Sequence, residues 1–263
     1  MGRLQQLFRS KNNNVLNIYC TAGYPHLEST LQVMKALEEN GADIIELGMP
    51  YSDPLADGPV IQESGSVALQ NGMTIKVLFE QLRDMRRASS DDGSGITLPV
   101  ILMGYLNPVL QYGFEKFCAD ASAVGIDGLI LPDLPIREFE TEFGPVMKKY
   151  GLDFVFLVTP ETSVERIRKI DALSTGFIYA VSSSSTTGKD KNFSEVELYL
   201  QKLQHLKLNN PVLVGFGIKD KGTFISACKY ANGAIIGSAY IKALTENPDV
   251  KMTTESFLKT ILK

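Results

Sequence analysis

Eight short apolar runs, each closed by a turn signal and followed by a stretch with helical period, recur along the 263 residues. They are LNIYCTA from Leu16, ADIIELG from Ala42, PVILMG from Pro99, GLILP from Gly128, DFVFLV from Asp153, GFIYAVS from Gly176, PVLVGFG from Pro211 and GAIIGS from Gly233. Between them lie helical patterns such as LESTLQVMKALEEN from Leu27, IREFETEFGPVMKKY from Ile136 and VERIRKIDAL from Val164. The strand runs are rich in β-branched and aromatic residues and almost continuously apolar, which is how strands read when a parallel sheet is covered on both faces. Eight βα units in about 250 residues predict an α/β chain folded as a (β/α)8 TIM barrel. The expectation is one domain over 1–263, with an extra N-terminal helix from the amphipathic MGRLQQLFRS. A doubly wound open sheet is the rival, but no GxGxxG opens the first strand–helix unit, so a dinucleotide fold loses its main support.

Composition narrows the function classes. A hydrophobic fraction of 44% and a charged fraction of 21% are those of an ordinary folded domain. A net charge of −4 argues against nucleic acid as a partner, since that needs Lys and Arg clustered on one face. Cys20, Cys118 and Cys228 are odd in number and far apart, which fits neither a disulfide framework nor a zinc knuckle and points to a reducing cytoplasm. No stretch approaches 18 consecutive apolar residues, so no membrane partner is expected. With His26 and His205 the only histidines, no metal site is expected, and proton transfer falls to carboxylates.

In a barrel, the polar residues that end strands or open the following loops are the informative ones. ELGMPYSDPLADGPVIQ, from Glu46 to Gln62, puts one carboxylate inside an apolar strand and a second, Asp57, in a loop stiffened by Pro50, Pro54 and Pro59. Two acids so placed could divide acid and base roles if their environments push their pKa values apart. A salt-bridged Glu46 and a turn-forming Asp57 remain equally open on these residues alone.

A second cluster comprises TTG (Thr186 to Gly188), GFG (Gly215 to Gly217) and GSAYIKAL (Gly237 to Leu244), which follow the sixth, seventh and eighth strands. Glycines there let backbone N–H groups approach an anion, and a helix opened by Ser238 directs its donors the same way, so a phosphorylated small molecule is the expected ligand. The stretch SSSSTTGKDKN, Ser182 to Asn192, reads as either a lid or an ordinary surface loop, and SSDDGSG at 89–95 as a surface loop. Tyr19, Leu102, Tyr105, Phe156, Tyr179 and Phe216 end strands and could wall a pocket for a flat ring or pack the core.

With these segments in hand, the chain resembles the tryptophan synthase alpha subunit family over nearly its full length. ELGMPYSDPLADGPVIQ is similar to that family's strand-2 signature, and TAGYP, LMGYLNPV, LPDLP, TTG, GFGI and GSA follow in family order. The resemblance implies retro-aldol cleavage of indole-3-glycerol phosphate to indole and glyceraldehyde 3-phosphate. It implies Glu46 as the acid or base that protonates the indole ring carbon, Asp57 as the partner that hydrogen-bonds the indole N–H, and Tyr179 in support. Thr187, Gly188, Phe216, Gly217, Gly237 and Ser238 would surround the phosphate, and Tyr19, Leu102, Tyr105, Phe156 and Tyr179 would line the indole pocket. No cofactor is implied for this chain. The implied partner is a pyridoxal-phosphate-dependent beta subunit in an alpha2beta2 heterotetramer, with Pro50, Asp53, Asn107 and Pro135 as candidate interface residues. One departure stands out: where the family commonly carries an Arg and a Gly before its Thr-Gly, this chain has Ser183 and Ser185. A free-standing indole-releasing lyase, a non-catalytic phosphate-binding barrel and another phosphate-binding barrel lyase or isomerase are the competing readings.

Overall fold

The structure, a computed structural model, describes the chain except residues 88–94, 182–192 and 216, and the side chains of Phe193 and Ser194. The SSDDGSG loop (all but Gly95), the Ser182–Asn192 stretch with Ser183, Ser185, Thr187 and Gly188, and Phe216 therefore lie outside the described residues.

Nine parallel strands form one sheet: β1 (Val15–Thr21), β2 (Ile44–Gly48), β3 (Val100–Met103), β4 (Gly128–Ile130), β5 (Asp153–Phe154), β6 (Phe156–Val158), β7 (Ile178–Val181), β8 (Val212–Gly215) and β9 (Gly233–Ile236). Their order is β5-β4-β3-β2-β1-β9-β8-β7-β6. The two ends of that order are halves of the single run DFVFLV, which pairs with β4 through Asp153 and Phe154 and with β7 from Phe156 onward. Val155 N–H donates to Leu129 O at 3.1 Å across the break. The ring is thus the expected eight-run barrel, with its fifth strand changing partners at Val155.

Alternation along each strand divides the apolar residues into two sets. Val15, Ile44, Ile101, Ile130, Val155, Phe177, Leu213 and Ile235, one from each run, pack together in the lumen. The neighbours one position along, such as Leu16, Ile45, Val100, Leu129 and Val214, join the larger core beneath the helices. Both sets are buried, which is why the runs show no polar alternation in sequence.

The N-terminal helix, Arg3–Ser10, closes the lower mouth. Its Leu4 is fully buried against the lumen set, and Phe8 lies 6.2 Å from Phe177. Three aspartates at strand beginnings fasten it or the residue after it: Arg3 pairs with Asp127 at 3.0 Å, Gln5 donates to Asp153 at 2.9 Å, and Lys11 pairs with Asp43 at 2.6 Å. Asp127 also accepts from the Arg86 guanidinium at 2.7 Å and from Val100 N–H at 2.8 Å. Arg86 spends its remaining donors on the carbonyls of Gly125, Ile96 and Leu98, so a charged pair at the barrel floor is almost completely hydrogen-bonded.

Removing one partner of such a pair leaves a buried charge without compensation, so Asp127→Ala should lower stability by roughly 3–5 kcal/mol in urea unfolding. Arg87→Ala, which breaks an exposed pair with Asp84 at 2.8 Å, should change it by less than about 1 kcal/mol.

Candidate active site

Glu46 is the middle residue of β2, Ile44–Gly48, and its strand register decides where it points. It lies opposite Tyr19 in the β1–β2 ladder, two positions beyond Ile44 on the lumen face. Two glycines make room around it. A Cβ on Gly48 would fall 2.0 Å from the Tyr19 hydroxyl, and one on Gly215 would fall 2.4 Å from the Tyr179 ring. The lumen's upper layer is therefore built from Tyr19, Glu46 and Tyr179, with glycine where further side chains would collide.

Glu46 is fully buried. Its Oε2 accepts from Asn17 Nδ2 at 2.8 Å, while Oε1 has no partner among the described residues. Burial pushes its carboxyl up to about 8; the Asn17 hydrogen bond pulls the other way, and the charge of Asp57 adds a smaller rise. Asp57 is half-buried in the loop after β2 and is also raised by desolvation, opposed by a hydrogen bond from Tyr105, whose hydroxyl donates to Oδ2 at 3.1 Å. The same hydroxyl accepts from Ala56 N–H at 2.9 Å, so Tyr105 clamps the carboxylate loop. Burial also pushes the hydroxyls of Tyr19 and Tyr179 far above their ordinary value, with Glu46 and Asp57 adding to the rise in both.

On the other side of the mouth, β8 and β9 are neighbours, and their carboxyl ends bring Gly217, Gly237 and Ser238 to one rim. Gly217 has φ +38°, a conformation few other residues adopt readily. Gly237 precedes the helix Ser238–Glu246, whose first N–H groups have no side-chain cap, and a Cβ there would stand 3.3 Å from that of Tyr19. Pro50 and Asp53 sit in the loop after β2, Asn107 in the first turn of the helix Leu106–Tyr112 after β3, and Pro135 in the loop after β4; all but the partly buried Pro50 are exposed. Asn107 Nδ2 donates to the Tyr51 hydroxyl at 3.2 Å.

Two expectations for the pocket wall shift by one residue. Leu102 and Phe156 face outward into the core beneath the helices, Phe156 packing at 4.9 Å from Phe139 and 4.6 Å from Phe154. Their strand neighbours Met103 and Leu157 belong to the lumen set instead. Counting by two from Ile101 and Val155 reaches both, but that these two face the lumen is known only from the closed barrel. Sequence reading also missed Asn17, whose parity with Tyr19 was available but whose partner was not.

A parallel barrel that holds an under-paired carboxylic acid in its lumen, with a second carboxylate near enough for its charge to act on the first, defines an acid–base enzyme of the (β/α)8 class. Known proteins sharpen the class. Residues 5–262 match the family described as tryptophan synthase alpha chain. The tryptophan synthase alpha chain of Flavobacterium johnsoniae is 51% identical over 253 residues, 96% of this chain and 97% of that one. That of Bacteroides thetaiotaomicron is 47% identical over 250 residues, 95% of each. Among solved structures, tryptophan synthase subunit alpha from Legionella pneumophila superposes with a TM-score of 0.88 at 33% identity, covering 99% of this chain and 97% of that one. A chain of the aminoacrylate-bound tryptophan synthase of M. tuberculosis gives 0.83 at 31%, covering 99% and 100%. This chain belongs to the tryptophan synthase alpha chain family.

The raised Glu46 carboxyl has a consequence for stability. Because its folded-state value lies above the ordinary 4.5, the folded protein holds this proton more tightly than the unfolded chain does. Its contribution is whole below about pH 4.5 and is lost as pH rises through about 8. Glu46→Gln cannot ionise, so its stability relative to the parent should rise by roughly 3 to 5 kcal/mol between pH 4 and pH 9 in chemical denaturation. A pH-independent difference would mean that Glu46 does not titrate upward in the folded state.

Proposed function

We infer that the chain, acting as one barrel domain over 1–263, is a carbon–carbon lyase that cleaves indole-3-glycerol phosphate to indole and glyceraldehyde 3-phosphate. The observation that carries this reading is the fully buried Glu46 carboxyl, pushed up to about 8 by burial and with Oε1 unpartnered among the described residues. A protonated carboxyl in a dry lumen can place its proton on the ring carbon that bears the glycerol side chain. Protonation there makes the ring a positively charged electron sink, and Asp57 offsets that charge by accepting a hydrogen bond from the ring N–H. The bond to the side chain then breaks, the ring regains aromaticity as indole, and the adjacent hydroxyl becomes the aldehyde of glyceraldehyde 3-phosphate. The hydroxyl proton returns to the Glu46 carboxylate, which leaves the enzyme as it began.

Tyr19, Met103, Leu157 and Tyr179 supply the apolar wall for the ring. Gly217, Gly237 and Ser238 receive the phosphate at the rim, where backbone donors at a helix start favour an anion. Both proton transfers run through the Glu46 carboxyl, out to the ring and back from the substrate hydroxyl, so the reading calls for no cofactor. The indole passes to a beta subunit, in an alpha2beta2 assembly, through the face that presents Pro50, Asp53, Asn107 and Pro135. That face joins the loop that carries Asp57 to the helix start at Asn107 and the loop at Pro135, so partner contact and catalytic geometry share the loop after β2.

Indole release by the purified chain, alone and with a beta subunit, tests this. Slow release that the partner raises is expected, with Glu46→Gln and Asp57→Asn each reducing kcat by at least about 100-fold, as loss of an acid–base group does. Fast, partner-independent release would identify a free-standing lyase, and full activity in either variant would remove that residue from the chemistry. Tyr105→Phe loses the hydroxyl that holds Asp57 and should lower kcat/KM by about 10-fold, the order expected for a hydrogen bond to a charged group.

A further inference from the structure

Asn17 does not fit the layer it occupies. It stands opposite Ile44 in the β1–β2 ladder and shares its lumen level with aliphatic side chains, in a fold whose interior is ordinarily filled by Val, Ile and Leu. Its amide is fully buried and half satisfied: Nδ2 donates to Glu46 Oε2 at 2.8 Å, and Oδ1 has no partner among the described residues. A buried, unpaired amide oxygen is a liability for folding that an aliphatic residue of the same size would avoid. What Asn17 offers in return is the one hydrogen bond that the Glu46 carboxyl has among the described residues.

We propose that Asn17 is a positioning residue for the cleavage reaction: by engaging Glu46 Oε2 it fixes the plane of the carboxyl and leaves Oε1 as the oxygen that gives the proton to the ring carbon and takes one back. The inference rests on the reading of Glu46 as the acid–base group.

The chemistry of the surroundings is consistent with this assignment. The titratable groups that act on or feel Glu46 are Tyr19 and Cys20 on β1, Asp57 in the loop after β2, and Tyr179 on β7. From β3, β6 and β9 the lumen receives Ile101, Met103, Leu157 and Ile235, which carry no charge. Among the described residues none of these hydrogen-bonds the Glu46 carboxyl, and Asn17 is the one that holds its orientation. Because the Asn17 N–H favours the carboxylate, it keeps the Glu46 value lower than burial alone would put it, so that the group can both release and recover a proton near neutrality.

Asn17→Leu removes the amide and suits the apolar layer, so the variant should fold at least as well as the parent. Indole release should fall about 10- to 100-fold in kcat, the order for a hydrogen bond to a charged group, with KM changed less than about 2-fold. The alkaline limb of the kcat/KM profile should move to higher pH by about one unit, since removing a donor to the carboxylate raises its pKa. A filler residue would move neither the limb nor kcat. If Leu is not accommodated, Asn17→Val, which underfills the site, carries the same expectation. Unchanged kcat and an unmoved limb in a folded variant, beside an inactive Glu46→Gln, overturn the assignment of Asn17 alone. Full activity in Glu46→Gln would overturn the acid–base reading, and this inference with it.

Discussion

A carboxylic acid at the centre of an apolar barrel stays there only if it is neutral or hydrogen-bonded, and Glu46 meets that condition through Asn17 and through its own proton. Much of the surrounding structure serves to keep that position dry. Eight aliphatic or aromatic side chains fill the lumen beneath it, and Leu4 of the N-terminal helix seals the floor. Beside it, Tyr19 and Tyr179 occupy space that Gly48 and Gly215 leave free. Desolvation, the largest cause of the raised carboxyl, is thus a property of the whole barrel and not of any one neighbour.

The two ends of the barrel treat the same residue type in opposite ways. At the lower end Asp43, Asp127 and Asp153 are each held by a Lys, Arg or Gln of the N-terminal segment, and Asp127 by Arg86 as well, so their charge is spent on fastening the chain. At the upper end, among the described residues, Glu46 and Asp57 have one side-chain hydrogen bond each, from Asn17 and Tyr105, and no ion pair. Partnered carboxylates brace; under-partnered ones remain able to exchange protons. Pairing, more than residue type, separates structure from chemistry here.

Several features were legible from the chain alone. The eight strand runs, the N-terminal helix, the helix over Val164–Leu173 and the prominence of Glu46 and Asp57 all follow from local pattern, because apolar runs, turn residues and carboxylates in unusual places are visible without knowing what folds against what. The helix from Ile136 was also visible, though not its π-helical turn at Phe139–Phe143. Leu102 and Phe156 show the limit. A strand buried on both faces has no polar residues to mark which side is which, so the choice between Leu102 and Met103, or Phe156 and Leu157, could not be made until the sheet closed.

By itself, then, the amino-acid order determined that this chain forms alternating strands and helices enough for a barrel, and which acids sit at a strand end. Only the tertiary structure decided that DFVFLV changes partners at Val155, that Tyr105 reaches back 48 residues to hold Asp57, and that Asn17 meets Glu46 across 29 residues of chain. Those pairings depend on register and closure, which bring distant residues to one point, and neither is written in any local stretch of sequence.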